Sequence, residues 1–268
     1  MLRDYANKRI IVITGATSGI GLATKKLFEA NGDIVITLAR HNPDNIDNFF
    51  ECDVSNEQMV KECFDNIGKT FKRIDILICN AGFGVSGATE LIDSKDINGI
   101  IDCNLLGAIY CYKYALPYIK EGGKIINISS VCAFFPLPYR TLYCASKSAL
   151  NTFSLGVRME CKPLKIQVCS VCPGDTKTNF TKNRVKIYQT NDRYGDRIKK
   201  ATEGIDSNED KRMPVSKVAK VVFKLCNKSK LKPYVIVGFK YKMLNFMMRF
   251  FPQSALLFFT EKFFGGHK

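Results

Sequence analysis

Short runs of apolar and β-branched residues alternate along the chain with longer stretches of helical periodicity, and this alternation constrains the fold more than any other feature. The expected strands are Arg9–Thr14, Ile34–Ala39, Phe49–Val54, Ile74–Cys79, Lys124–Ile128, Ile166–Val171 and Tyr234–Val237. The expected helices are Gly19–Ala30, Asn56–Lys69, Ser94–Lys120, Thr141–Glu160 and Pro214–Asn227. Several strand runs are continuously apolar, which is typical of parallel strands buried on both faces. The pattern predicts an α/β fold with a doubly wound parallel sheet.

Three parts of the chain depart from this alternation. Residues 40–48 are too few for a full crossover helix, so we expect a single turn there. Residues 175–213 are polar and weakly periodic, and could form a loop over a substrate. Residues 240–268 are aromatic and basic, and Pro252 should split them into two short helices. We expect one domain over residues 1–239, including that substrate loop, followed by a C-terminal helical tail.

The eleven cysteines do not form a pattern that predicts disulfides or a metal centre. Their number is odd and they are scattered through apolar runs, so we interpret them as reduced, buried side chains. Cys169 and Cys172 form one C-x-x-C pair, but it lies at a strand end with no second pair, which argues against a metal or redox role. The polar start and the lack of a long apolar window predict a cytoplasmic protein, which could also associate with a membrane surface.

The positive charge is concentrated in the last third of the chain. Of the net charge of +15, most comes from residues 182–268, which hold 20 basic and 7 acidic side chains. No nucleic-acid-binding motif accompanies this charge, so we expect no nucleic-acid partner. Peripheral contact of residues 241–268 with an anionic membrane remains possible.

A glycine-rich turn follows the first strand and opens a helix. Glycines at these spacings let the backbone approach a pyrophosphate at the helix N-terminus. The residues expected to hold a dinucleotide there are Gly15, Thr17, Ser18, Gly19, Ile20 and Gly21. A purely structural turn is the alternative for this motif alone.

The end of the second strand carries Arg40 where NAD-specific sites have an acidic residue. A guanidinium can pair with a 2′-phosphate, so Arg40 predicts NADP(H) as the cofactor. A solvated surface arginine is the alternative interpretation.

A serine, a tyrosine and a lysine form the main catalytic candidate. Ser130 closes a strand, and Tyr143 and Lys147 lie one turn apart on the same helix face. A phenol has a pKa near 10, which a neighbouring ammonium and a positive nicotinamide ring would lower. We therefore expect Tyr143 to act as the acid–base residue and Ser130 to stabilise charge on the substrate oxygen. An ordinary helix face is the alternative for Tyr-x-x-x-Lys alone.

Together these motifs resemble the short-chain dehydrogenase/reductase family, closely over residues 8–179 and loosely over 214–238. The resemblance implies a Rossmann-like fold and an NADP(H)-dependent oxidoreductase. It adds Asn104 as a catalytic residue in a water-mediated relay to Lys147, and gives Lys147 the nicotinamide ribose as well. The further cofactor-binding residues that it implies are Asp53, Val54, Asn80, Ala81, Gly82, Tyr143, Pro173, Gly174 and Thr178. Cys79 and Ala133 depart from the family pattern.

The substrate is expected to be an apolar alcohol or ketone, such as a hydroxysteroid-like, retinoid-like or lipid carbonyl compound. The aromatic tail and apolar residues near the expected pocket, such as Phe83 and Phe134, favour it. The tail could cover the pocket, contact a second subunit, lie on a membrane, or simply cover a sheet edge and the core. By the resemblance we expect a homodimer or homotetramer. A catalytically silent NADP-sensing regulatory or scaffold protein is the alternative, although such a protein has no need of Ser130, Tyr143 and Lys147 together.

Overall fold

A computed structural model describes residues 7–42, 45–178, 180, 184–188, 192–206, 212–248 and 250–265. The strands are β1 Ile10–Thr14, β2 Ile34–Ala39, β3 Phe49–Glu51, β4 Ile74–Cys79, β5 Val85–Ser86, β6 Ile119–Ile128, β7 Gln167–Pro173, β8 Thr176–Lys177, β9 Val185–Lys186, β10 Met213–Pro214 and β11 Tyr234–Val237. The α-helices are α1 Gly19–Ala30, α2 Glu57–Phe71, α3 Ser94–Ile101, α4 Gly107–Ala115, α5 Thr141–Glu160, α6 Arg197–Asp206, α7 Val215–Cys226, α8 Phe239–Met247 and α9 Gln253–Phe264.

Seven parallel strands form the central sheet in the order β11-β7-β6-β4-β1-β2-β3. The strand order reverses between β1 and β4, and in open sheets of this kind ligands bind beyond the carboxyl ends of the strands at that point. The fold prediction is confirmed, and the topology places the candidate site at the ends of β1, β4, β6 and β7.

Alternate residues of each strand pack on opposite faces of the sheet. Ile10 and Val12 of β1 belong to one buried cluster, which also contains Phe64 of α2. Ile11 of β1 belongs to a second cluster, on the side of α1, with Phe28. Because helices cover both faces, several strands such as β1 are continuously apolar, as predicted.

The predicted helix over residues 94–120 is wrong at its end and is not a single α-helix. It is divided by a π-helical segment, Asp102–Leu106, and ends in a 3₁₀ turn at Leu116–Tyr118. Ile119 already belongs to β6 and pairs with Ile74, so β6 begins five residues before the predicted strand.

Smaller differences affect two other strands and one loop. β3 ends at Glu51 rather than Val54, because Asp53 accepts hydrogen bonds from the backbone and hydroxyl of Ser55 and forms a turn. β7 begins one residue later and ends two residues later than predicted. In the loop over residues 40–48 the Asn42 side chain bonds to the backbone of Ile46; residues 43 and 44 lie outside the described part.

The C-terminal tail forms two helices, as predicted, with Pro252 preceding α9. In the described part of the chain no helix combines the length and apolarity that a membrane span needs. All eleven cysteines are free, and the described residues contain no cluster with the makings of a metal site.

Candidate active site

The glycine turn after β1 has a backbone that only glycine adopts without strain. Gly15 and Gly19 have φ values of +65° and +54°. At Gly21 a Cβ atom would lie 2.6 Å from Nδ2 of Asn80, which is too close for any side chain. The turn is thus held tightly against the end of β4.

Side chains at the ends of β1 and β4 bond the two strands together. Oγ1 of Thr14 accepts hydrogen bonds from the backbone N–H groups of Asn80 and Ala81, both at 2.9 Å. Nδ2 of Asn80 donates to the carbonyls of Thr14 and Gly15, both at 3.0 Å. The sequence predicted Asn80 and Ala81 as cofactor-binding residues but not the bonding role of Thr14. The position of a threonine at the end of the first strand, directly before Gly15, could have indicated that role.

The N-terminus of α1 fits an anionic ligand. Ser18 occupies the N-cap position, but its side chain makes no capping hydrogen bond, and the first turn contains no acidic residue. The N–H groups of a first helical turn lack intrahelical acceptors, and the helix dipole favours negative charge there. Thr17 and Ile20 are partly exposed beside it. The cradle therefore fits the pyrophosphate of a dinucleotide.

The segment after β7 reaches back to this cradle. Pro173 ends β7, and Cγ2 of Thr178 lies 3.6 Å from the position that a Cβ on Gly19 would occupy. Gly174 is buried under the ring of Tyr241 from α8, and any side chain there would overlap that ring.

The residues expected at the adenosine end lie along the same sheet edge. Arg40 is exposed directly after β2. Asp53 is half-buried, and Val54 packs against Gly107 of α4. Burial raises the pKa of the Cys103 thiol, and the charges of Lys147 and Arg40 oppose that rise, so both cations act on this crevice.

Ser130, Tyr143 and Lys147 come together at the ends of β6 and α5. The Ser130 side chain lies close enough to the Tyr143 hydroxyl to oppose the rise in the pKa of that phenol. The Lys147 ammonium lies 5.9 Å from the centroid of the Tyr143 ring and donates to the carbonyl of Ile128 at 3.0 Å. Oγ of Ser130 also accepts a hydrogen bond from the backbone of Cys132, which starts a 3₁₀ turn.

Asn104 lies in the π-helical segment, and its side chain is fully bonded to the protein. Its Oδ1 accepts from the Phe83 N–H, and its Nδ2 donates to the Phe83 carbonyl and to Oγ of Ser146. A Cβ on Gly82 would lie 2.9 Å from Oδ1 of Asn104 and 3.4 Å from Nζ of Lys147. Asn104 thus fixes the loop after β4 against α5, close to Lys147.

Burial has the largest effect on both titratable groups of the site. It lowers the pKa of Lys147 to about 8. It raises the pKa of Tyr143, with a further rise from the neighbouring Cys132 and an opposing effect of the Ser130 side chain. In the chain without a cofactor, burial therefore raises the pKa of Tyr143 overall, and the expected lowering by Lys147 together with a bound nicotinamide ring stays a prediction.

Two features near Tyr143 were not recognised in the sequence. Phe180 packs its ring 5.5 Å from that of Tyr143, and Arg184 lies close enough to act on the pKa of the phenol. Cys132 and Cys144 both act on the pKa of Tyr143, and the interaction with Cys144 lowers the pKa of the Cys132 thiol. No local sequence motif predicts the position of Phe180 and Arg184 or the interaction of Cys132 with Cys144, because both features depend on contacts between separate segments.

A pocket of about 400 Å³ lies between the loop from Ser130 to Tyr143 and the tail. Residues 136–139 and Thr141 form one wall, and Leu257, Thr260 and Glu261 of α9 form the other. Arg197 of α6 and Gly265 complete the lining. The loop between Ser130 and Tyr143 is therefore also a wall of the pocket.

Comparisons with known proteins agree with this geometry. The sequence profile of the short chain dehydrogenase family matches residues 9–189. The chain is 36% identical over 207 residues to a 3-ketodihydrosphingosine reductase of Bacteroides thetaiotaomicron, covering 75% of this chain and 77% of that protein.

Solved structures have the same fold. A short-chain dehydrogenase from Streptomyces avermitilis superposes with a TM-score of 0.80 at 24% identity, over 96% of this chain and 97% of that one. The protein ElxO with NADP bound superposes with a TM-score of 0.70 at 26% identity, over 85% of this chain and 96% of that one.

Proposed function

The chain belongs to the short-chain dehydrogenase family, and on that premise we propose that it is an NADP(H)-dependent reductase of an apolar ketone, with a long-chain lipid carbonyl as the favoured class. One observation carries the proposal. The hydroxyls of Ser130 and Tyr143 lie beside buried Lys147, whose ammonium is 5.9 Å from the Tyr143 ring centroid, at the same sheet edge as the glycine cradle.

The residues have distinct tasks in such a reaction. When bound, the reduced nicotinamide supplies the hydride. The Tyr143 hydroxyl donates the proton to the carbonyl oxygen, and its raised pKa keeps that proton available at neutral pH. The Ser130 hydroxyl donates a hydrogen bond to the same oxygen and stabilises the negative charge that develops there.

Other residues position these groups and the dinucleotide. A hydrogen bond to the Ile128 carbonyl holds the Lys147 ammonium in place. In this position the ammonium can bind the hydroxyls of the nicotinamide ribose. Asn104 acts as a positioning residue through its bonds to Phe83 and Ser146. Arg40 is the group available to a 2′-phosphate, and this supports NADP(H) over NAD(H).

The substrate class rests on the surroundings of the two hydroxyls. The ring of Phe180 and the cluster containing Phe134 and Phe135 provide apolar surface near Tyr143 and Ser130. The name of the Bacteroides relative refers to a ketone of a sphingoid base, which is a long-chain lipid.

The test is a screen of NADPH oxidation over apolar ketones and small polar ketones, repeated with NADH. We expect turnover with the apolar set and NADPH. Turnover of small polar ketones alone would contradict the substrate class, and faster turnover with NADH would contradict the role of Arg40. Tight NADPH binding without turnover of any carbonyl would favour a sensing or scaffold protein.

A further inference from the structure

The tail carries an unusual concentration of exposed apolar side chains. Of the sixteen large apolar residues exposed in the described chain, twelve lie between residues 239 and 264. They are Phe239, Met243, Leu244, Phe246, Met247, Phe250, Phe251, Leu257, Phe258, Phe259, Phe263 and Phe264. A concentration of exposed apolar side chains of this kind indicates a binding surface for a partner or a membrane. We call these twelve residues the outer tail surface.

The other face of the tail is anchored to the body of the protein. Tyr241, Met248 and Leu256 pack against the cluster that contains Val131 and Phe135. The Tyr241 hydroxyl also donates to the Asp175 carboxylate at 2.6 Å. The two helices are therefore held to the body through these inner residues, while the residues of the outer tail surface stay exposed.

Basic residues accompany the outer tail surface. Residues 240–268 contain five basic side chains and one acidic one. Lys240, Lys242 and Lys262 are exposed on α8 and α9. Two copies of this chain meeting through their tails would oppose like charges, whereas an anionic lipid surface is complementary to them.

We propose that the outer tail surface docks on an anionic lipid bilayer, with the phenylalanines inserted at the headgroup boundary and the lysines against lipid phosphates. Helices with an apolar face and flanking cations bind membranes in this way without crossing them. This is an interaction surface, and it does not depend on the reaction that the protein catalyses.

The pocket lies next to the outer tail surface. Leu257 belongs to the outer tail surface and also lines the pocket beside the loop from Ser130 to Tyr143. The docked surface would therefore border the pocket at Leu257. Use of the pocket by a lipid substrate rests on the proposed function, whereas the docking itself does not.

The first test measures binding of the full chain to vesicles by co-sedimentation, without substrate. We expect binding to mixed phosphatidylcholine–phosphatidylglycerol vesicles, weak binding to phosphatidylcholine alone, and loss of binding as salt is added. Equal binding to both vesicle types, or none to either, would overturn the proposal.

The second test separates the tail from exposed apolar residues elsewhere. The triple variant Phe250→Ser, Phe258→Ser, Phe263→Ser should lose at least about tenfold in vesicle partitioning while its thermal unfolding is unchanged. The matched control, Leu155→Ser, Met159→Ser, Leu164→Ser, changes three exposed residues of the body and should bind as the parent does. Parental binding by the tail variant would refute the docking surface.

The third test concerns charge and oligomeric state. Each basic residue near an anionic surface contributes about fivefold to partitioning, so Lys240→Gln with Lys242→Gln should lower it by about tenfold or more. Lys61→Gln with Lys69→Gln, on exposed positions of α2, should not. If the serine variant instead halved the molar mass in light scattering and left vesicle binding unchanged, the surface would be a subunit interface and the proposal would be wrong.

Discussion

The sheet body and the tail both contain phenylalanine, but the body buries these side chains and the tail exposes them. Phe28 and Phe64 are fully buried between the sheet and its helices. Phe239 and Phe250 are 75% and 72% exposed. A strand in the body is covered on both faces, whereas each tail helix has one contact face. Apolar composition therefore predicts burial only where the fold packs a second layer of secondary structure against the segment.

The largest expected difference between the two regions is in stability. Phe64→Ala should lower the free energy of unfolding by about 3–5 kcal/mol, because it leaves a cavity in a packed core. Phe250→Ala should change it by less than about 0.5 kcal/mol, as is usual for surface positions. Chemical denaturation of both variants tests this. Similar losses would mean that the tail is part of the core and that the contrast is false.

The next effect concerns the dinucleotide cradle. Gly21→Ala forces a Cβ against the Asn80 amide, and overpacking of this kind costs about 1–3 kcal/mol. NADPH affinity should therefore fall by about tenfold or more in a fluorescence titration. The matched control is Gly156→Ala on α5, where a Cβ meets nothing within 4 Å. If Gly21→Ala bound NADPH as well as this control does, the cradle would not be the cofactor site.

A smaller effect is expected at the adenosine end. Arg40→Ala should raise the KM for NADPH by about tenfold and leave that for NADH unchanged, because only NADPH carries the phosphate that the guanidinium can bind. His41→Ala, at the adjacent exposed position, is the control. Equal changes with both cofactors would remove Arg40 from nucleotide discrimination.

The smallest effect is a pH dependence. Burial lowers the pKa of Lys147 to about 8, so its ammonium is present below that pH and is lost above it. The kcat/KM for NADPH, which reports the free enzyme, should be about fourfold lower at half a pH unit above that value. Cys132→Ser removes the Cys132 thiol, whose pKa is also lowered, and should leave the decrease in kcat/KM at high pH unchanged. A profile that stayed flat up to pH 9.5 would contradict the assignment.

The sequence was sufficient for the sheet and for the cradle because their signals are local. Continuous apolar runs gave the parallel strands, and glycine spacing gave the turn whose φ values the structure has. Tyr143 and Lys147 shared a helix face for the same reason.

The remaining features depend on contacts between distant segments. The packing of Phe180 on Tyr143 joins α5 to a loop of little periodicity, so no pattern predicted it. The strand pairing of Ile119 with Ile74 ends the helix early, after a 3₁₀ turn that contains Pro117. The pKa of Tyr143 depends on how deeply the fold buries it, and a helical spacing does not contain that information.

The central claim is that Tyr143 gives the carbonyl oxygen its proton, and the most direct test is kcat for reduction of an apolar ketone by Tyr143→Phe. Loss of a general acid should lower kcat by about 10²- to 10⁴-fold, while NADPH affinity stays close to that of the parent. Tyr110→Phe, which removes a hydroxyl from α4, should react as the parent does. A Tyr143→Phe enzyme that retained the parental kcat would show that another group supplies the proton.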